Sequence, residues 1–161
     1  MTVPQMFTEN NSDAFTAVND ENARHDLGTT ARVYDSTYGW RTYAYYKVAD
    51  AVNVTAGMVV CYSTTMGNVT PDISGGTSTG GAAGVALGSV TATYHGWFVV
   101  GKGDYVLVNT DGGVAAAGEF LVPHSVDGEV DTMADGEEEQ VFAVSTAADS
   151  SPGDQVVAVL L

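Results

Sequence analysis

The chain has 161 residues, which is long enough for one domain with a hydrophobic core of its own. Its 20 Asp and Glu side chains outnumber the five Lys and Arg side chains, so the net charge is -15 at pH 7. A surface this acidic repels phosphate groups, and the composition therefore excludes nucleic acid and anionic membranes as partners.

The first 31 residues differ in composition from the rest of the chain. Asn, Asp, Glu and Thr dominate them, and apolar residues recur without a strict period. This pattern predicts an extended N-terminal arm over residues 1–31, followed by one domain over residues 32–161. Phe7 and Phe15 are expected to anchor the arm on a neighbouring subunit or on another protein, because free disordered tails are poor in aromatic residues. The alternative is that the arm forms a first strand and a short helix of the same domain.

Residues 31–51 are dense in aromatic side chains that nearly alternate with polar ones, as is typical of strands. Tyr and Trp are enriched at protein interfaces, so Trp40 and Tyr43, with Trp97 further along the chain, are candidate interface residues. The other interpretation of the same run is a core face together with a surface stripe.

The remainder of the chain is predicted to form short strands separated by Gly-containing turns, and Gly, Val, Thr and Ala dominate it. We expect a polar, exposed loop from Thr64 to Gly81 and a strand that is integral to the sheet at the C-terminal end. The predicted fold is all-β, a small barrel or sandwich. The predicted strands are 58–62, 83–88, 90–94, 96–100, 105–108, 119–122, 141–144 and 155–161.

No constellation of catalytic residues is readable in the sequence. His25, His95 and His124 occur in segments without a neighbouring nucleophile motif, and Cys61 lies inside an apolar strand, where a thiolate is disfavoured. The acidic stretch 127–139 lacks the Gly that a calcium loop needs at its sixth position, so it is interpreted as a solvated loop that leaves open only weak binding of divalent cations. We expect no enzyme activity, no cofactor and no dedicated metal site.

No apolar run reaches the ~18–20 residues that a bilayer requires, and the sequence does not open on a signal-peptide pattern. We therefore expect the protein to be made, and to assemble, in the cytoplasm.

Four short segments carry a resemblance to a known family. They are the Gly-Val-Ala strand at 84–87, the strand from Gly96 to Gly101, the Gly-containing turn and strand start at 117–121, and the closing strand at 156–160. Together they resemble the head decoration, or cement, proteins of tailed bacterial and archaeal viruses, over roughly residues 45–161.

The resemblance implies a β-tulip-like domain that forms a homotrimer on the outer capsid surface of the virion and stabilises the head by binding the major capsid protein. Two alternatives stay open. One is another virion part, such as a head-completion, tail-tube or fibre-base protein. The other is a carbohydrate-binding module that uses Trp40 and Trp97.

Overall fold

The structure is a computed structural model that describes residues 15, 17–49, 52–72, 78–112, 114, 116–124, 126–134, 140–148 and 155–161. Eleven strands form within these residues, and the all-β prediction is confirmed. The strands are β1 (Thr30–Asp35), β2 (Gly39–Val48), β3 (Val59–Ser63), β4 (Asn68–Thr70), β5 (Ser78–Ala86), β6 (His95–Val99), β7 (Tyr105–Asn109), β8 (Phe120–Pro123), β9 (Val130–Thr132), β10 (Ala143–Ser145) and β11 (Gln155–Leu160).

The first sheet has the order β1-β2-β4-β3-β5-β6, and a further pairing between β2 and β6 closes five of its strands into a barrel. The ten residues of β2 make this closure possible, because different parts of the strand pair with β1, β6 and β4. Strand β1 lies outside the closed ring and pairs with β2 alone among the described strands.

The second sheet has the order β7-β11-β10-β8-β9. A parallel bridge between Thr110 and Val130 brings the end of β7 next to β9, so the two edges of this sheet meet at one point. Both sheets therefore curl towards closure, which reduces the length of unpaired strand edge.

The larger core cluster draws side chains from both sheets. Val33, Tyr43 and Val59 of the first sheet share it with Val106 and Leu121 of the second, and all five are almost fully buried. The smaller cluster belongs to the barrel, where Phe98 packs with Val and Ala side chains. The first-sheet and second-sheet strands consequently fold as one body around a shared core.

Three local predictions from sequence need correction. The segment Thr64–Gly81 is not a continuous exposed loop, because it contains β4, where Val69 is completely buried, and β5 begins at Ser78. Residues 73–77 of this segment lie outside the described residues. The acidic stretch 127–139 is not entirely a solvated loop either, since Val130 is buried in β9.

The predicted strand at residues 90–94 is also wrong. Val90 makes only an isolated bridge with Val54, and β6 begins at His95. The cause is a turn at Thr93, whose φ of 72° is incompatible with a strand. The side chain of Asn53 stabilises this turn by accepting a hydrogen bond from the Ala92 amide at 2.9 Å.

The predicted C-terminal strand is confirmed as β11, which lies between β7 and β10 and buries Val156, Ala158 and Leu160. Deletion of residues 156–161 should therefore abolish cooperative unfolding, because it removes the strand that joins two others. Thermal unfolding followed by circular dichroism measures this. The control is Leu161→Ala, which alters a half-exposed side chain beyond the strand and should leave the melting temperature nearly unchanged. A deletion variant with the melting transition of the full chain would contradict the prediction.

Candidate protein-interaction surface

The β1–β2 hairpin places two exposed aromatic side chains side by side. A short turn joins the strands: the Asp35 carboxylate accepts hydrogen bonds from the amides of Thr37 and Tyr38 at 2.8 and 3.0 Å, and Gly39 adopts a φ of 81°. This turn sets Tyr34 directly opposite Trp40. Their ring centroids are 5.6 Å apart with an interplanar angle of 71°, which is the edge-to-face arrangement that aromatic pairs prefer.

Arg32 completes this surface. It is two residues before Tyr34 in β1 and therefore on the same face of the strand. Its guanidinium carbon lies 5.5 Å from the centroid of the Trp40 ring, within the range of a cation–π interaction. Tyr34 and Trp40 are 45% and 41% exposed, so a large part of each ring faces solvent. We call Arg32, Tyr34 and Trp40 the hairpin patch.

The opposite face of β2 fixes the hairpin to the second sheet through Arg41. Its side chain is almost completely buried, and its Nε donates a hydrogen bond to the carbonyl oxygen of Tyr105, the first residue of β7, at 2.9 Å. Its Nη1 lies 3.3 Å from the Asp35 carboxylate, and its guanidinium carbon is 4.1 Å from the centroid of the Tyr38 ring. One buried cation thus joins the turn, the hairpin and the neighbouring sheet.

Asp104 makes a second connection beside Arg41. Its carboxylate accepts a hydrogen bond from the Thr42 amide at 2.6 Å, and Gly101 leaves room for it, since a Cβ there would overlap the carboxylate. Burial raises the pKa of Asp104 above its ordinary value, although the Thr42 hydrogen bond and the charges of Arg32 and Arg41 act in the opposite direction.

The residues that the sequence suggested for an interface lie in different environments. Trp40 is exposed, as part of the hairpin patch. Tyr43 is 1% exposed and Trp97 is 8% exposed, so both belong to the chain's own core. The ring of Phe15 packs against them, with centroid distances of 5.1 Å to Tyr43 and 4.9 Å to Trp97. This contact of Phe15 is within the chain rather than with a neighbour, and Phe7 lies outside the described residues.

The described part of the predicted arm also contacts the barrel further along. Asp20 and His95 exchange backbone hydrogen bonds of 3.0 and 2.8 Å, so the segment pairs briefly with the start of β6. The Asp20 carboxylate accepts a hydrogen bond from the Tyr45 hydroxyl at 3.2 Å and lies 2.9 Å from the Arg24 guanidinium. The His25 ring stacks edge-on against Tyr45. These contacts hold the segment against its own barrel.

Sequence reasoning missed Tyr34 as a candidate surface residue. A usable signal was present, because a short turn between Asp35 and Gly39 predicts that residues 34 and 40 face each other across the hairpin. The alternation of side chains in a strand then places Trp40 and Arg41 on opposite faces. What the sequence did not show is which of these faces points to solvent.

One group of the described side chains could hold a metal ion. Asp111, His124 and Asp131 each present one ligand atom within 4.8 Å of the other two. Only Asp131 lies in the acidic stretch 127–139, and the other two come from positions that the sequence did not connect with it. Among the described residues no helix is long and apolar enough to span a bilayer.

Comparison with known proteins gives a match in structure but none in sequence. A scan against sequence profiles of known families finds none that fits the chain, and no curated protein matches it significantly in sequence. Among solved structures, the chain is similar to the N base of the head fiber protein gp8.5 of bacteriophage phi29. The TM-score is 0.52 at 16% sequence identity, and the match covers 74% of this chain and 92% of the other. At this identity the similarity shows a shared fold.

Replacing the two tryptophans one at a time should separate surface from core. Trp97→Ala should lower the free energy of unfolding by about 3–5 kcal/mol, because it leaves a cavity between Phe15 and Tyr43. Trp40→Ala should change it by less than about 1 kcal/mol, since the ring is half exposed. Urea unfolding followed by circular dichroism measures both values. Equal losses for the two variants would mean that Trp40 belongs to the core.

The two arginines of the hairpin allow a matched test of the inter-sheet connection. Arg41→Ala should destabilise the fold by about 3 kcal/mol or more, because it deprives the Asp35 carboxylate of its buried guanidinium partner and the Tyr105 carbonyl of a donor. Arg32→Ala removes the same charge from an exposed position and should cost about 0.5 kcal/mol or less. If urea unfolding gave similar losses of unfolding free energy for the two variants, the positive charge and not the buried contacts would be what stabilises the fold.

Proposed function

We propose that this protein is a non-enzymatic structural protein of a virion, which binds the outer surface of a viral head through the hairpin patch. The observation that carries the proposal is the fold similarity to the N base of a phage head fiber. The match covers 92% of that chain. The sequence resemblance to head decoration proteins points to the same place on the particle by an independent route.

The chemistry of the hairpin patch supports a protein partner. Interface hot spots are enriched in Trp, Tyr and Arg, and this patch presents one of each in contact. Burial of the Tyr34 and Trp40 side chains at an interface contributes roughly 1.5–3 kcal/mol each. The patch is also preorganised, because the Arg41 contacts beneath it fix the hairpin, and a rigid surface loses less entropy on binding.

The histidines and the cysteine support the non-enzymatic part of the proposal. Each has a structural contact in the described chain: His25 packs on Tyr45, Nδ1 of His95 lies 3.0 Å from the Asp20 carbonyl oxygen, and Cys61 is buried in β3. His124 lies beside Asp111, at 3.5 Å. None of these geometries pairs a base with a nucleophile.

Within this function we favour a decoration protein that binds the major capsid protein as a homotrimer, because the family that the sequence resembles does so. The second candidate is the base of a head fibre, and the fold similarity to the phi29 head fiber base favours it. The two differ in distribution over the particle. A decoration protein covers the whole head, whereas a fibre base occupies discrete positions and carries a distal fibre, so electron cryomicroscopy of the parent virion distinguishes them.

The proposed surface is tested with heads that lack the protein. The double variant Tyr34→Ala/Trp40→Ala should bind such heads at least about tenfold more weakly than the unaltered chain, since two hot-spot side chains are lost. Phe120→Ala is the matched control, because Phe120 is a similarly exposed aromatic residue, 48% exposed, in the second sheet. Co-sedimentation with heads measures binding.

Light scattering after size-exclusion chromatography accompanies the binding assay and reports whether the variants keep the oligomeric state of the unaltered protein. Weaker binding with an unchanged oligomer supports a capsid contact, and a lost oligomer assigns the hairpin patch to subunit assembly. Heads decorated by the double variant to the normal extent would exclude the hairpin patch as the binding surface.

A further inference from the structure

Three side chains that can bind a metal ion converge where the second sheet closes. Asp111 follows β7, His124 follows β8 and Asp131 lies in β9. All three are partly buried, and a ligand atom of each lies within 4.8 Å of the others. Nδ1 of His124 is 3.5 Å from Oδ2 of Asp111. The group is separate from the hairpin patch, which lies on the first sheet.

Backbone hydrogen bonds hold the three ligands in place. The Asp111 amide donates to the Val130 carbonyl oxygen at 3.0 Å, directly after the bridge between Thr110 and Val130. Asp131 is paired with Val122 in the register of β8 and β9. The His124 amide donates to the Glu129 carbonyl oxygen at 2.9 Å and so continues this hairpin beyond β8. The sheet thus brings the three backbone segments that carry these ligands together before any ion binds.

The ligand atoms of His124 and Asp111 lie close enough to share one ion. Nδ1 of His124 is 3.5 Å from Oδ2 of the Asp111 carboxylate. The Val126 amide nitrogen lies 3.3 Å from the same Nδ1, a long contact that an ion bound there would replace. Thr132 donates from its amide to Oδ1 of Asp131 at 2.6 Å and orients that carboxylate. A cation placed among the three groups would satisfy all of them.

The charge balance of this half of the chain favours a cation as well. After Lys102 the sequence contains no Lys or Arg, and His124 is the only side chain there that can carry a positive charge. In the described chain neither Asp111 nor Asp131 has a Lys or Arg partner. Carboxylates that lack such partners attract divalent cations more strongly than paired ones do.

We propose that Asp111, His124 and Asp131 bind one divalent transition-metal ion, with Zn²⁺ as the preferred ion. In a tetrahedral zinc site, ligand atoms about 2.1 Å from the ion lie roughly 3.4 Å from each other, close to the observed His124–Asp111 separation. The remaining ligand moves by roughly 1.5 Å at most to complete the set. An imidazole with two carboxylates suits Zn²⁺ better than Ca²⁺ or Mg²⁺, which prefer oxygen ligands alone. The bound ion would connect the end of β7 to the β8–β9 hairpin.

Isothermal titration of the full chain with ZnCl₂, after removal of metals with a chelator, tests the site directly. We expect one equivalent of Zn²⁺ to bind and the melting temperature to rise by about 5 °C or more when free Zn²⁺ is a hundredfold above Kd. His124→Gln, Asp111→Asn and Asp131→Asn should each weaken binding by at least about tenfold. Asp127→Asn is the matched control, because Asp127 lies in the same hairpin turn but outside the ligand set, and His25→Gln controls for zinc binding at an unrelated imidazole.

Titration of the unaltered chain with CoCl₂ gives a readout that does not depend on any variant folding. Intense visible absorption bands that appear at one equivalent and disappear on addition of Zn²⁺ support a tetrahedral site with protein ligands. Three results would overturn the proposal: no stoichiometric Zn²⁺ binding, unchanged binding in His124→Gln, or Ca²⁺ binding of equal strength with the same sensitivity to the three substitutions. The last result would show that the three groups have no preference for a transition-metal ion.

Discussion

The connection between the two sheets depends on one buried cation, the guanidinium group of Arg41. Arg41 lies in β2 with its guanidinium between the β1–β2 turn and the first residue of β7, and it contacts Asp35, Tyr38 and the Tyr105 carbonyl oxygen. Removing a guanidinium from water is costly, so this position is stable only because several groups share the charge. Since neighbouring side chains in a strand point to opposite faces, burial of Arg41 forces Trp40 outward. The connection between the sheets and the exposed aromatic surface therefore have the same cause.

A second set of contacts joins the sheets away from Arg41 and links the proposed metal site to the barrel. The Val59 amide in β3 donates to the Gly128 carbonyl oxygen at 2.8 Å, and the Gly128 amide donates to the Pro71 carbonyl oxygen at 3.0 Å. Gly128 has a φ of 74° and packs against Met58 with no room for a Cβ. The turn between β8 and β9 is thus held by the first sheet on one side, with His124 directly after β8 and Asp131 within β9. An ion there would stabilise a turn that the barrel already positions.

The sequence predicted those features that depend on local pattern and missed those that depend on pairing between distant segments. The apolar run at 155–160 could only be a strand, and Cys61 is buried as expected. By contrast, β4 is three residues long within a polar segment, and it exists because Val69 fits into the barrel beside Val48 and Val60. The group around Asp131 was invisible for the same reason, since the Thr110–Val130 bridge joins residues 20 positions apart. Trp40 and Tyr43 looked alike in sequence because both faces of β2 carry aromatic residues, and only the position of the second sheet makes one face the core.

The distribution of charge gives the two ends of the chain different roles under the proposed function. Four of the five basic residues, Arg24, Arg32, Arg41 and Lys47, occur in the first 47 residues, and Arg32 belongs to the hairpin patch itself. The second sheet is built from the part of the chain that has no Lys or Arg after Lys102. Long-range repulsion between acidic surfaces is therefore weakest at the hairpin, and an acidic partner is steered towards this side of the molecule. At high salt this steering is screened, but the contacts of Tyr34 and Trp40 are not, so association should slow more than the complex weakens.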